Sequence, residues 1–505
     1  MAHITLLPVE ILVLIAYFLE KSDLSATTRT CRQLQRVLTP YLWKTFVLRS
    51  SVSGKFYDID ALATYAPWVR SLEYTGAPPS EYYNIVYPNL DALRVNFCTM
   101  SKDHFIDKFG MPQQNNDYST LIRLNPTIKH LYVNPENLAT TSAFWTTVFT
   151  TLKNPRCLDF HDFQVLQADA LDSFWKACTR FEEISVSGHG FANSNILPTV
   201  SFSRLQHLTV DLRAHYSSRT PAGGNMEWFR MCPNLTKMHI NNRYSEFPIE
   251  PFAKALEQQT WTQLTDLALT GSGGSDARFS LIARHLPPLE HFQHESTGFG
   301  PQSFVFLQQQ LFENIRTLNM QGCYGLVSRM ILDILTGCPL LEVFKAFSIS
   351  VSDLRSHPEP WTCLGLKHLE VFFSIDPTRP DDGELAFEHL SRLERLETLD
   401  VNARHTWTLA WDIFSRMKRQ GSLQWRLDSG LQHLSTLKRL KTLVIDSSFH
   451  DARMEDVQWM LDQWPALEKL RCGLSQDPVT RKRFMNLFEQ HNIDLEPEDG
   501  WRSML

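Results

Sequence analysis

An apolar-x-x-apolar-x-apolar pattern recurs along the chain from residue 69 onward. Clear copies start at Leu90, Ile128, Leu205, Leu235, Leu264, Ile315, Leu366, Leu396 and Leu440. Looser copies start at Val69, Pro155, Phe181, Leu289, Leu341 and Leu467. Together these starts recur about every 28 residues, a period typical of stacked repeats. The last two apolar positions are two residues apart, the spacing of a short strand with one buried face. Helical patterns fill the intervals, as at Val327–Leu335 and Val457–Leu461. A strand–helix unit of this size cannot bury its apolar face alone, so neighbours must stack. The predicted fold class is therefore α/β: a curved solenoid, its parallel sheet on the concave side and its helices outside.

The first fifty residues follow a different pattern. Ile11, Leu14, Ile15, Phe18 and Leu19 recur at helical spacing after Pro8, which suits a first helical turn. Ser22 and Asp23 offer capping oxygens to a second short helix over 24–28. Leu34, Val37 and Leu38 continue a third face, punctuated by Pro40. Ile15, Phe18 and Leu34 fit the core of such a unit. Leu7 and Pro8, at an exposed helix start, fit a partner surface better. A helical unit this small exposes more apolar surface than it can bury by itself.

Leu7-Pro8-Val9-Glu10-Ile11-Leu12, then Ile15, Phe18-Leu19, Asp23-Leu24, Cys31-Arg32 and Pro40-x-Leu42-Trp43 carry a family resemblance. In order and spacing, residues 6–48 resemble an F-box. The resemblance implies binding to a Skp-family adaptor and, through it, to a cullin. The positions implied for adaptor contact are Leu7, Pro8, Ile11, Leu12, Ile15, Leu24 and Trp43. Cys232-Pro233-Asn234-Leu235, Cys338-Pro339-Leu340-Leu341 and Asn319-Met320-Gln321-Gly322-Cys323 resemble cysteine-containing leucine-rich repeats. As a whole the chain resembles F-box proteins with leucine-rich repeats, in a loose, aromatic-rich style similar to fungal members. The expected organisation is an F-box over 1–50, about fifteen degenerate units over 51–490, and a C-terminal cap or tail over 491–505. The function implied is substrate recognition in a Skp–cullin–F-box ubiquitin ligase. The alternative is a repeat scaffold outside ubiquitination.

The non-leucine strand positions of such repeats face the concave side. Position five includes Tyr132, His239 and Lys345 among charges of both signs. Position three adds His130, His207, His291 and His368, read as ordinary half-exposed residues. The spacing is broken between Leu90 and Ile128 and between Leu396 and Leu440. The second excess, about 403–430, holds Trp407, Trp411 and Trp425. Insertions in repeat proteins often lie on the binding face, and aromatic anchors dominate interface energetics. Trp407 and Trp411 therefore join Tyr132, His239 and Lys345 as candidate substrate contacts, although large aromatics are more often core residues.

Composition narrows the reading. The chain has 505 residues, 43% of them hydrophobic and 21% charged, which excludes a disordered chain. Lys+Arg 49 against Asp+Glu 55 gives a formal net charge of −6, with no basic excess to recommend nucleic acid. The nine cysteines include no C-x-x-C pair, so zinc-ribbon and redox-motif readings fail and reduced thiols are expected. The apolar run from Ile4 lacks a basic lead and a small-residue cleavage site, so neither a signal peptide nor a membrane span is expected. This suits the cytoplasm or nucleus. H-E-x-x-H, G-x-S-x-G and G-x-G-x-x-G are absent from the sequence. In His291-Phe292-Gln293-His294-Glu295 the two histidines would lie on opposite strand faces, against a metal site. No cofactor, metal or catalytic residue is expected, and the protein is read as a non-catalytic receptor subunit.

Overall fold

The computed structural model describes residues 7–49, 58–75, 80–96, 118–134, 141–161, 170–187, 200–211, 226–242, 249–271, 274–295, 298–376, 378–379, 382–401, 423–445, 452–472 and 477–497. The chain forms two compact units, Met1–Leu235 and Thr236–Leu505.

The first unit opens with three helices, α1 (Val9–Phe18), α2 (Lys21–Thr28) and α3 (Arg32–Trp43). Leu12, Ala16, Leu24, Leu34 and Leu38 form their shared core, with Leu7, Leu19, Cys31, Val37, Tyr41 and Leu42 packed around it. The Cys31 thiol starts α3 by accepting from the Leu34 amide at 3.5 Å. Two local expectations change. Glu20, not Ser22 or Asp23, precedes α2, and no side chain caps that helix. Pro40 lies inside α3 rather than ending it. A proline this near a helix end forfeits one backbone bond, which the packing of Leu38 and Leu42 outweighs.

Among the described residues seven strands follow: β1 (Thr45–Arg49), β2 (Ser71–Thr75), β3 (Ala92–Asn96), β4 (His130–Asn134), β5 (Cys157–Phe160), β6 (Glu183–Ser187) and β7 (His207–Asp211). All pair in parallel, and the fourth signature position stays in register: Phe46, Leu72, Leu93, Leu131, Leu158, Ile184 and Leu208 are successive partners. Behind the sheet, aromatic side chains replace leucines. Trp145 packs edge-on against Phe160 and Phe174, and Trp175 meets both Phe202 and Trp228. Large rings fill the space that degenerate repeats leave between strand and helix.

The second unit contains β8 (Lys237–Asn242), β9 (Asp266–Gly271), β10 (His291–Glu295), β11 (Thr317–Asn319), β12 (Val343–Ser350), β13 (His368–Ser374), β14 (Thr398–Asp400), β15 (Thr442–Val444), β16 (Lys469–Cys472) and β17 (Asp494–Pro497). Pairing is again parallel throughout. Helices such as Asp276–Ala283, Pro301–Leu311, Ser328–Gly337 and Met454–Gln463 alternate with the strands. Two of them take in the predicted stretches, 457–461 whole and 327–335 from Ser328 on, with Val327 as the N-cap.

Every one of the fifteen signatures becomes a strand that starts two residues after the signature's first apolar residue. Among the described residues two strands lie outside that set. β1 fits the pattern as Trp43-x-x-Phe46-x-Leu48, and pairs with β2 although it overlaps the end of the helical unit. β17 pairs with β16, so the stretch from Asp494 to Pro497 extends the sheet. Its signature was hidden because Asn492 and Pro497 stand where the first and last apolar residues belong.

Position two of the signature carries a feature that the apolar pattern conceals. In the second unit Glu290, Arg316, Glu342, Lys367, Glu397, Lys441 and Glu468 alternate in sign from one strand to the next. Arg316 lies 3.7 Å from Glu290 and 2.9 Å from Glu342, and Lys441 lies 2.7 Å from Glu397. Lys367 closes on Glu342 at 2.5 Å. The Lys367 and Arg316 partners hold the Glu342 carboxyl below its ordinary range. The carbonyls of Glu290 through Lys441 in this row each accept two amides of the next unit, as Glu342 does from Lys367 and His368, and that of Glu468 accepts one, from Asp494. Exposed pairs are individually weak, but an alternating row disfavours register slips. Glu342→Lys would put three cations in line. Denaturant unfolding should show a loss of about 1 kcal/mol at low salt, shrinking as salt screens the row.

Candidate adaptor face and repeat surface

α1 has two faces. Leu12 and Ala16 point into the helical core, at 1% and 4% exposure. On the opposite side, at three- and four-residue spacing, Ile11, Leu14 and Phe18 are 41%, 55% and 87% exposed. Val9 and Tyr17 flank them and are also exposed. An apolar stripe of this width on a short helix is out of place in water unless another protein covers it.

The seven positions expected at the adaptor interface divide accordingly. Pro8 and Ile11 are exposed, Leu7 is half-buried at the edge of the core, and Ile15 is half-buried. Leu12 and Leu24 are buried in the unit's own core, where they support the face rather than form it. Trp43 stacks between Tyr65, at 4.2 Å, and Phe46, at 5.4 Å. It thereby seats α3 against the first strand and the helix Ile59–Tyr65. Phe18, expected in the core, is instead the most exposed large apolar residue of the stripe. Leu14 was legible only as part of a helical run. Phasing that run against Leu12 and Ala16 would have placed both residues on the open side.

On the strands, positions four and six are buried and positions three and five look outward, as in β4 and β5. Tyr132 is half-buried between the Arg94 guanidinium, 4.4 Å from its ring centre, and the His161 ring at 5.0 Å. His161 Nδ1 lies 2.8 Å from Ser187 Oγ and its Nε2 2.9 Å from Asp159 Oδ1. These contacts fix Tyr132 in a polar row on the first unit's sheet. In the second unit, His239 Nε2 is 3.1 Å from Asp266 Oδ1, which keeps that carboxyl low against the opposing effect of burial. Lys345 Nζ is 2.9 Å from Glu370, a carboxylate only 8% exposed and also bonded to Gln321. The Lys345 charge is thus largely spent within the sheet. Trp407 and Trp411 lie outside the described residues. Trp425 is buried against Phe387.

Burial also fixes the chemistry of the thiols. It pushes the Cys157 and Cys363 thiols up to about 12, and those of Cys178, Cys232 and Cys338 higher. None of these is a nucleophile near neutral pH. Among the described residues no cluster of His, Cys, Asp and Glu has the arrangement of a metal site. None of the described helices is long and apolar enough to cross a membrane.

No curated protein matches the chain. Among solved structures, a chain in the crystal structure of the Rad7 and Elc1 complex in yeast is similar at 12% identity and a TM-score of 0.41. That likeness covers 76% of this chain and 83% of the other, and is too loose to carry an argument. The sequence of residues 4–49 matches the F-box-like family. These residues include the three helices and the exposed stripe, so the chain carries an F-box-like domain at its N-terminus, followed by parallel strand–helix repeats.

Proposed function

We propose that the protein is the substrate-recognition subunit of a Skp–cullin–F-box ubiquitin ligase. The F-box-like helices bind the Skp-family adaptor through Pro8, Ile11, Leu14 and Phe18, and the repeats hold the protein to be ubiquitinated. The observation that carries this reading is the apolar stripe on α1, exposed on a unit whose core is already complete without it. The subunit needs no catalytic group of its own. Holding a substrate lysine beside the charged ubiquitin carrier raises the effective concentration of the reactants. We keep the outward residues of the repeats, including Tyr132 and His239, as the substrate side of the proposal.

A reconstituted ligase tests the division of labour. With wild-type chain, adaptor, cullin and ubiquitin-charging enzymes, proteins captured by the repeats should acquire ubiquitin. The Ile11→Asp/Phe18→Asp variant should still capture them and leave them unmodified. Modification independent of the adaptor, or unaffected by the variant, would favour a scaffold outside ubiquitination.

A further inference from the structure

Four residues after the start of β10, β11 and β12 stand Glu295, Gln321 and Phe347, just beyond the ladder pairs Gln293–Asn319 and Asn319–Lys345, at the C-terminal ends of these strands. The turn after β11 carries Tyr324 and packs at Gly322 against Glu295. The Tyr324 ring meets Phe347 edge to face, 5.5 Å between centres and 84° between planes. Glu295 lies close enough that its charge, after burial, pushes the Tyr324 phenol up. One Glu295 oxygen accepts from Gln293 Nε2 at 3.2 Å, and among the described residues no ion pair involves Glu295.

The turn is built for this approach. A side-chain carbon on Gly322 would fall 2.9 Å from Glu295 Cβ, and one on Gly325 1.9 Å from the Phe299 carbonyl oxygen. Glycine at both positions lets the turn press against the preceding unit and hold Tyr324 beside the carboxylate. The neighbouring cation, Lys345, is neutralised by Glu370 one strand away. A half-buried carboxylate therefore stands beside Tyr324, whose ring leads on to Phe347, and among the described residues it has no cation of its own.

We propose that this edge docks a lysine or arginine side chain of a partner protein, its charge on Glu295 and its stem and cationic head against Tyr324 and Phe347. The inference rests on the receptor reading above and names the chemistry its substrate side selects. Carboxylate attraction and cation–π contact act together on such a group, and both disfavour an acidic side chain. The rings cover the aliphatic stem that lysine and arginine share.

Two labelled peptides of equal length, one bearing arginines and the other glutamates at the same positions, test the site by fluorescence anisotropy on the full chain. The wild type should prefer the arginine peptide by about tenfold or more, the effect of one desolvated cation–π and carboxylate contact. The chain's net charge of −6 adds a diffuse attraction, so the variants decide. Glu295→Gln with Tyr324→Ala should remove most of the preference at unchanged melting temperature. Glu295→Gln alone, which keeps shape and the Gln293 contact region, should remove a measurable part. Glu295→Lys should shift preference toward the glutamate peptide. Equal binding of both peptides by wild type, or a preference unchanged in Glu295→Gln and Glu295→Lys, would overturn the site. Adaptor co-purification runs in parallel on the same samples. Its failure sinks the receptor reading, whereas intact adaptor binding without peptide preference sinks this site alone.

Discussion

Ile11→Asp/Phe18→Asp abolishes adaptor binding, by our reading, and leaves the fold intact. Both side chains are exposed, Phe18 at 87%, so neither substitution opens a cavity. Their cost to the isolated chain is the small difference in helix propensity between apolar residues and aspartate. Their cost to the complex is much larger, because a charge would be buried against an apolar groove with no partner. Two central interface residues worth about 2 kcal/mol each imply roughly a thousandfold loss of affinity. Isothermal titration against purified adaptor measures that loss, and a thermal melt of the same protein verifies folding. Leu38→Ala supplies the contrast. Leu38 is 1% exposed in the helical core, and its truncation should cost about 2–5 kcal/mol of stability. It should weaken binding only through unfolding of the helical unit, visible in the melt. Equal melts with equal binding for wild type and the double variant would remove α1 from the interface.

The second large effect concerns His294. It occupies position six of its signature, where neighbouring strands place Leu269 and Met320. The imidazole is buried and stacked on Phe279 at 3.9 Å between ring centres. Nδ1 donates to the Leu269 carbonyl oxygen at 3.1 Å, which fixes the neutral tautomer, and Nε2 has no partner. The surroundings are the rings of Phe292 and Phe299, and Cys323 donates to the His294 carbonyl. Burial lowers the imidazole to about 4 from its ordinary 6.5. The unfolded chain therefore binds a proton through the range from pH 6.5 to 4 that the folded chain refuses. Stability from this residue is full above pH 6.5 and falls as the pH drops, by about 3 kcal/mol at pH 4. His294→Phe keeps a ring on Phe279 and removes the titration. Carboxylates held low by partners, such as Glu342 and Glu397, also lose stability in acid, so the comparison with the variant isolates the histidine. Denaturant unfolding at pH 7, 5.5 and 4 should show the wild type falling more steeply than the variant by that amount. Parallel pH curves would contradict the assignment.

The repeat architecture was legible because its signal is redundant. One buried leucine per strand in position four means little, but fifteen copies at a common spacing leave few alternatives. Where the signal failed, a single residue type broke the pattern. Asn492 and Pro497 hid β17, and Trp43, read as part of a helix and an interface, hid the start of β1. The candidate site was harder to read. Periodicity identifies a helix, whereas a partner face requires knowing which side the rest of the unit already occupies. Leu12 and Leu24 look no different in sequence from Ile11 and Leu14; only packing on Leu34 and Leu38 separates them. The charged row at position two and the Glu295–Tyr324–Phe347 edge each draw on several successive repeats. Such groupings become visible only once the strands are aligned side by side.

The most direct test of the central claim is co-expression of the wild-type chain of 505 residues with a Skp-family adaptor, followed by size-exclusion chromatography with light scattering. The exposed stripe on α1 predicts a stable complex at one adaptor per chain, persisting through the column. A well-folded chain that elutes alone, with the adaptor in a separate peak, would contradict the ligase-receptor function and leave a repeat protein whose F-box-like helices serve another purpose.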